Sequence, residues 1–161
     1  MRLQGVFAGL ALVLASCSAA GSERAASAPA SQPSVHPLSG LPVVPLTVSH
    51  GTHRFRFRVE VARSPDQQQR GLMFREKMGP DEGMIFPMQP PRFASFWMHN
   101  TVLALDIVFI GVDGRIMSIA ANAVPYSDAP IPAGGLTGAV LELNGGRAAQ
   151  LGIAPGDRVD W

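Results

Sequence analysis

A chain of 161 residues, 47% of them apolar, can bury one hydrophobic core, so a single domain is expected. Only 7% of the residues are aromatic, while 17 glycines and 14 prolines favour a turn-rich, β-containing fold over a helical bundle. Thirteen basic residues stand against twelve acidic ones, which lacks the basic excess needed to neutralise the phosphates of a nucleic-acid partner.

Residues 1–16 read as a signal peptide. Arg2 supplies a short positive start, and residues 6–15 form an apolar stretch too short to span a bilayer. The stretch ends in Leu14-Ala15-Ser16-Cys17, where Cys17 is the sole cysteine. This tetrapeptide resembles the lipobox of bacterial lipoproteins, which implies lipidation of the Cys17 thiol and a membrane anchor. One acyl chain binds a membrane marginally, whereas a Cys carrying several is held firmly. Ser18, rather than Asp, follows the Cys. By the same resemblance the protein is expected in the cell envelope, on the periplasmic face of the outer membrane if the host is Gram-negative. Loss of the leader removes Arg2 and no acid, leaving twelve charges of each sign.

Residues 17–42 are rich in Ser, Ala and Pro and poor in large apolar side chains. An acylated Cys leading into a disordered tether is expected there, with the folded domain over residues 43–161. Residues 43–48 predict a first strand. Residues 54–61 alternate strictly, with Phe55, Phe57, Val59 and Val61 on one face and Arg54, Arg56, Arg58 and Glu60 on the other, which predicts a half-buried strand. Ser64-Pro65-Asp66-Gln67 is a helix start, with Ser as N-cap, Pro at N1 and Gln at N3 completing a capping box. Residues 84–86 predict a short buried strand and residues 88–92 a Pro-rich connector. Strands follow at 94–98 and 105–111, and Asp113-Gly114 turns the chain into a hairpin with residues 115–120. Residues 124–136 hold three prolines and two glycines, which predicts an irregular loop long enough to form a lid or rim. A buried strand at 139–143, a short helix capped by Asn144 and stopped by Gly152, and a last strand at 158–161 complete the domain.

Six segments, in order, carry a resemblance to a known family. They are Arg70-Gly71-Leu72-Met73-Phe74-Arg75, Gly83-Met84-Ile85-Phe86, Phe96-Trp97-Met98-His99-Asn100-Thr101, Leu105-Asp106-Ile107, Val140-Leu141-Glu142-Leu143 and Gly156-Asp157. Together they resemble the family of domain of unknown function 192. The resemblance implies an α+β fold, a small, partly closed β-barrel of mixed strands with two short flanking helices. The family has no established biochemical role, so the resemblance implies no activity. It commonly has Lys where this chain has His99, and a neutral imidazole could serve there in place of a permanent cation.

The candidate ligand-binding residues are Arg70, Trp97, His99, Asn100, Thr101, Asp106 and Glu142. Asp106 lies in an apolar strand, where a buried carboxylate must be partnered, neutral or at an open site; Arg70, Arg75, Arg92 and Asn100 are its expected partners. Glu142 has similar surroundings, and the two carboxyls would form the acid/base pair of a hydrolase acting on envelope glycans if they face one another. Trp97 beside Asn100 and Thr101 has the make-up of a saccharide-binding platform, or else of a core residue next to a turn. Met73, Met78, Met84, Met88, Met98 and His99 could ligate Cu(I), but their spacing repeats no ligand motif, and Met commonly fills gaps in cores. No metal or other cofactor is expected, and neither a phosphate-cradling loop nor an elbow-type nucleophile occurs. The chain therefore reads as an envelope lipoprotein that is a non-catalytic ligand-binding or accessory module. Its pocket is expected between residues 93–116 and the Pro/Gly loop, with a small molecule or glycan as ligand.

Overall fold

The computed structural model describes residues 34–161, so the signal peptide, Cys17 and the first part of the tether lie outside the described residues. The folded chain begins earlier than the composition suggests. A two-residue strand β1 (Ser34–Val35) pairs with the start of β2 (Pro42–His50). Between them Leu41 is buried and Ser39 donates a hydrogen bond to Glu60. Residues 34–42, expected as the end of the tether, are fixed to the sheet by long-range contacts that a Ser/Pro-rich composition does not reveal.

β2 turns at Gly51, which has φ +56, into β3 (His53–Val61), and the two pair antiparallel. Phe57, Val59 and Val61 are buried as the alternation predicts, yet Glu60 is buried too. The capping box forms as its spacing requires: the Ser64 hydroxyl accepts from the Gln67 amide, and the Gln67 side chain accepts from the Ser64 amide. Helix α1 (Pro65–Arg70) then crosses over to β4 (Glu82–Phe96), which lies parallel to β3, a pairing that needs such a crossover.

β4 runs through the proline stretch that reads as a connector. Its ladder with β7 (Ile131–Asn144) shifts register between Pro87 and Arg92, and these unladdered positions accommodate Pro90 and Pro91. The second half of the expected lid is strand as well: Pro132 and Ile131 of β7 pair with Ser95 and Phe96. β5 (Leu105–Gly111) and β6 (Ile116–Ala123) form the hairpin predicted from Asp113-Gly114, and β5 also pairs with β7. Helix α2 (Arg147–Leu151) and β8 (Arg158–Asp160), which pairs with β2, end the chain.

The strands make one open, eight-stranded sheet in the order β1-β2-β3-β4-β7-β5-β6, with β8 on β2. This corrects the expected α+β, partly closed barrel. The domain is mostly β, its helices span six and five residues, and β6 ends the sheet as an edge. The turn before β6 approaches β8 through an isolated bridge, Arg115 to Arg158, and through backbone hydrogen bonds from the Val159 amide to Gly114, the Ile116 amide to Asp157 and the Gly156 amide to Ile116, without extending into a ladder.

Both faces of the sheet's middle are buried, so β5 is apolar on both sides rather than alternating. Leu46, Val48, Phe57, Ile85, Val108, Ile110, Leu141 and Leu143 form one core. Met84, Phe86, Met98, Leu105, Ile107, Phe109 and Val140 form the other. The second core borders the cavity described next.

Candidate ligand-binding site

A cavity of about 610 Å³ opens between α1, the outer part of β4 and the corner at residues 97–101. Glu142 is the acidic residue in its lining. On β7, Glu142 stands opposite Met84 of β4 and Ile107 of β5, so its side chain leaves the sheet on the face of the second core. The residue is buried, its Oε2 has no hydrogen-bond partner, and it lines the cavity. Burial without a compensating cation pushes its carboxyl up to about 8, so at neutral pH the group is mainly a protonated acid that can donate as well as accept.

The walls come from several elements. Phe86, Met88 and Phe96 are apolar, and Phe96 packs edge-to-face between Phe86 and Phe109. Gly71, which follows α1, is required by its positive φ of +47 rather than by space, since a Cβ there would make ordinary contact with the Phe86 ring at 3.4 Å. Gln68 ties α1 to β4 by donating to the carbonyls of Ala62 and Pro87, and its side-chain oxygen accepts from Arg92 at 2.8 Å. Arg92 is thereby held at the rim with Arg63, which precedes α1, and Arg70, its last residue. None of these three arginines has an acidic partner among the described residues, where the ion pairs are others.

The opposite wall is aromatic. Trp97, half-exposed, stacks on His99 with ring centres 5.0 Å apart. His99 Nδ1 lies 2.6 Å from Asp128 Oδ1, which orients the imidazole. The corner is pinned by backbone bonds, from the Met98 amide to the Ser127 carbonyl and from the Tyr126 amide to the Thr101 carbonyl. The part of the Pro/Gly loop that is not strand therefore buttresses the site from behind.

Five of the seven candidate residues meet at this cavity: Arg70, Trp97, His99, Thr101 and Glu142. Asn100 does not line it. Its backbone is left-handed at φ +51, and its carbonyl accepts from the Phe74 amide, so it shapes the corner. Asp106 does not line it either. It is fully buried and accepts from the backbone amides of Asn122, Gly146 and Ala148 at 2.9, 2.9 and 2.8 Å, so no arginine or Asn100 partners it. Its carboxylate, not Asn144, caps α2; Asn144 instead donates to the carbonyls of Met78 and Gly79.

The register also separates the proposed acid/base pair. Asp106 pairs with Leu143 and Ile107 with Glu142, so neighbouring positions place the two carboxyls on opposite faces of the sheet. They cannot act on one bond, which excludes the acid/base pair of a hydrolase. Of the methionines, Met84, Met88 and Met98 are buried in the second core with Met78 packed against it, where they fill space, and Met73 and Met88 line the cavity.

Sequence reasoning missed Gln68 and Arg63 and gave Arg92 the wrong task. No short-range pattern marks them, since Gln68 and Arg92 meet across 24 positions. Glu60 was also misplaced: it ion-pairs with Arg75 at 2.8 Å inside the domain, with His36 3.7 Å away.

The chain belongs to the domain of unknown function 192 family, described as an uncharacterized ACR, which it matches over residues 46–161. A crystal structure of a protein of unknown function from Novosphingobium aromaticivorans is similar at 58% identity. The match covers 82% of this chain and 94% of that one, with a TM-score of 0.80. A Sinorhizobium meliloti protein, described as a candidate transcription regulator, is 40% identical over 74% of this chain and 94% of its own, with a TM-score of 0.73. No curated protein matches the chain.

Proposed function

We propose that this protein is a cell-envelope lipoprotein, anchored through Cys17, whose folded domain is a non-catalytic module that binds a small polar ligand. The observation that carries the binding reading is Glu142: a buried carboxyl with an unpartnered oxygen, in the lining of a cavity. A buried polar atom without a partner costs roughly 1–3 kcal/mol, which a bound ligand's hydrogen bond would relieve. The Trp97–His99 stack offers a flat apolar surface beside the hydrogen-bonding groups, as in many sites that fix a ligand's orientation.

The anchor reading draws on residues 14–17 and on the position of the sole cysteine. Palmitate labelling of the wild type and of Cys17→Ala tests it; equal labelling of the two would refute it. Ligand binding is tested by thermal shift and ligand-observed NMR with a panel of soluble saccharides and short peptides. A stabilising ligand whose effect is lost in Trp97→Ala is expected. No response across the panel, with Trp97→Ala fully functional in vivo, would overturn the reading.

A further inference from the structure

We propose that the ligand is an acidic monosaccharide, its carboxylate held at the rim by Arg63, Arg70 and Arg92 and its hydroxyls reaching Glu142 beside Trp97. The inference rests on the binding-module reading and adds the ligand's chemical class to it. The cavity's charge is one-sided. Arg63 and Arg70 at either end of α1, and Arg92 on β4, bring three guanidinium groups without ion-pair partners among the described residues. The acid nearest the aromatic wall, Asp128, is engaged by His99. Guanidinium forks match the oxygen pairs of a carboxylate, and they repel a cationic ligand.

The remaining lining selects the body that carries the charge. A buried acid that both donates and accepts suits a hydroxyl, which does the same. The half-exposed indole of Trp97 gives the C–H face of a sugar ring a surface to lie on, and the hydroxyls of Ser95 and Thr101 line the same cavity. A long apolar ligand would leave Glu142 unsatisfied, and a bare anion would use only the rim.

The arrangement also couples binding to pH. Ionised Glu142 would repel the ligand's carboxylate and lose its donor, so affinity for an acid falls as Glu142 deprotonates. The other ionisable groups facing the cavity are Arg63, Arg70 and Arg92, with His99 and its partner Asp128 at the wall.

The test uses the full chain carrying Trp161→Phe, which leaves Trp97 as the single tryptophan reporter. D-glucuronate, D-glucose and D-glucosamine present one ring with negative, neutral and positive charge, and inorganic phosphate presents the anion alone. D-glucuronate is expected to perturb Trp97 fluorescence and to bind about tenfold more tightly than D-glucose, with D-glucosamine weakest. Arg70→Gln, with an unchanged melting curve, should bring D-glucuronate to the level of D-glucose. Between pH 7.5 and 9 the preference for D-glucuronate should shrink in the parent and hold steady in Glu142→Gln. Equal binding of D-glucuronate and D-glucose, or tighter D-glucosamine, overturns the acid preference and leaves the pocket reading standing. Phosphate binding as tightly as D-glucuronate overturns the sugar. Silence from all four probes overturns both.

Discussion

Two carboxyls one strand apart have opposite fates, and the cause is local. Asp106 is surrounded by three backbone amides that keep it satisfied and hold the loop before α2. Each bond to a charged acceptor is worth roughly 1.5–3 kcal/mol, and losing them leaves buried N–H groups unpaired. Asp106→Ala should therefore destabilise the domain by at least about 3 kcal/mol, measured as the urea midpoint at constant slope. Glu142 has no such partners and is held protonated by burial, its carboxyl raised from 4.5 to about 8. In that window the native state holds a proton that the unfolded chain has released. Glu142's contribution to stability is thus fully kept below about pH 4.5 and is lost as pH rises to about 8, at up to ~1.4 kcal/mol per unit. Glu142→Gln should remove this slope and raise stability at pH 8 above that of the parent. A pH series of urea melts checks it, and parallel curves for the two proteins would show that Glu142 is not held protonated.

At the scale of elements, the parts with local signals were legible and the parts set by pairing were not. Ser64, Pro65 and Gln67 specify the start of α1 within four residues, and Phe57, Val59 and Val61 specify a buried face by alternation. Asp113-Gly114 specified the β5–β6 hairpin. By contrast, β4 and β7 looked broken because prolines and glycines interrupt their patterns. Only pairing with a strand far along the chain shows that these residues sit at register shifts. The candidate site divided the same way. Trp97, His99, Thr101 and Glu142 were found as unusual residue types in apolar surroundings, whereas Gln68 and Arg63 are ordinary until the fold assembles them. Pairing also explains Gly83 of β4, which stands opposite Leu143, the neighbour of Glu142. A Cβ there would lie 2.5 Å from the Glu142 carbonyl oxygen, a backbone atom that cannot move without the β7 ladder. Gly83→Ala should cost on the order of 2 kcal/mol by thermal melting and disturb ligand binding at Glu142, although residue 83 lines no part of the cavity.

For the whole molecule, the sheet's open ends raise the question of what seals the second core, and residues 34–41 answer part of it. Leu41 buries its side chain in that core. Ser39 and His36 reach the Glu60–Arg75 pair, whose nearly buried charges depend on a closed surround for their geometry. The segment thus acts as a clasp across the end of β3 and the turn after α1, continuous with the stretch that leads back toward Cys17. Losing a buried Leu side chain alone costs about 2–5 kcal/mol, and loosening a buried ion pair adds to that. A chain starting at Pro42 should be at least about 3 kcal/mol less stable in urea melts than one starting at Ser34. Restoring the segment with Leu41→Ala should recover only the polar share of the loss. If the chain starting at Pro42 melts with the longer one, the clasp contributes nothing, and the domain's stability rests on the ladders from β2 onward.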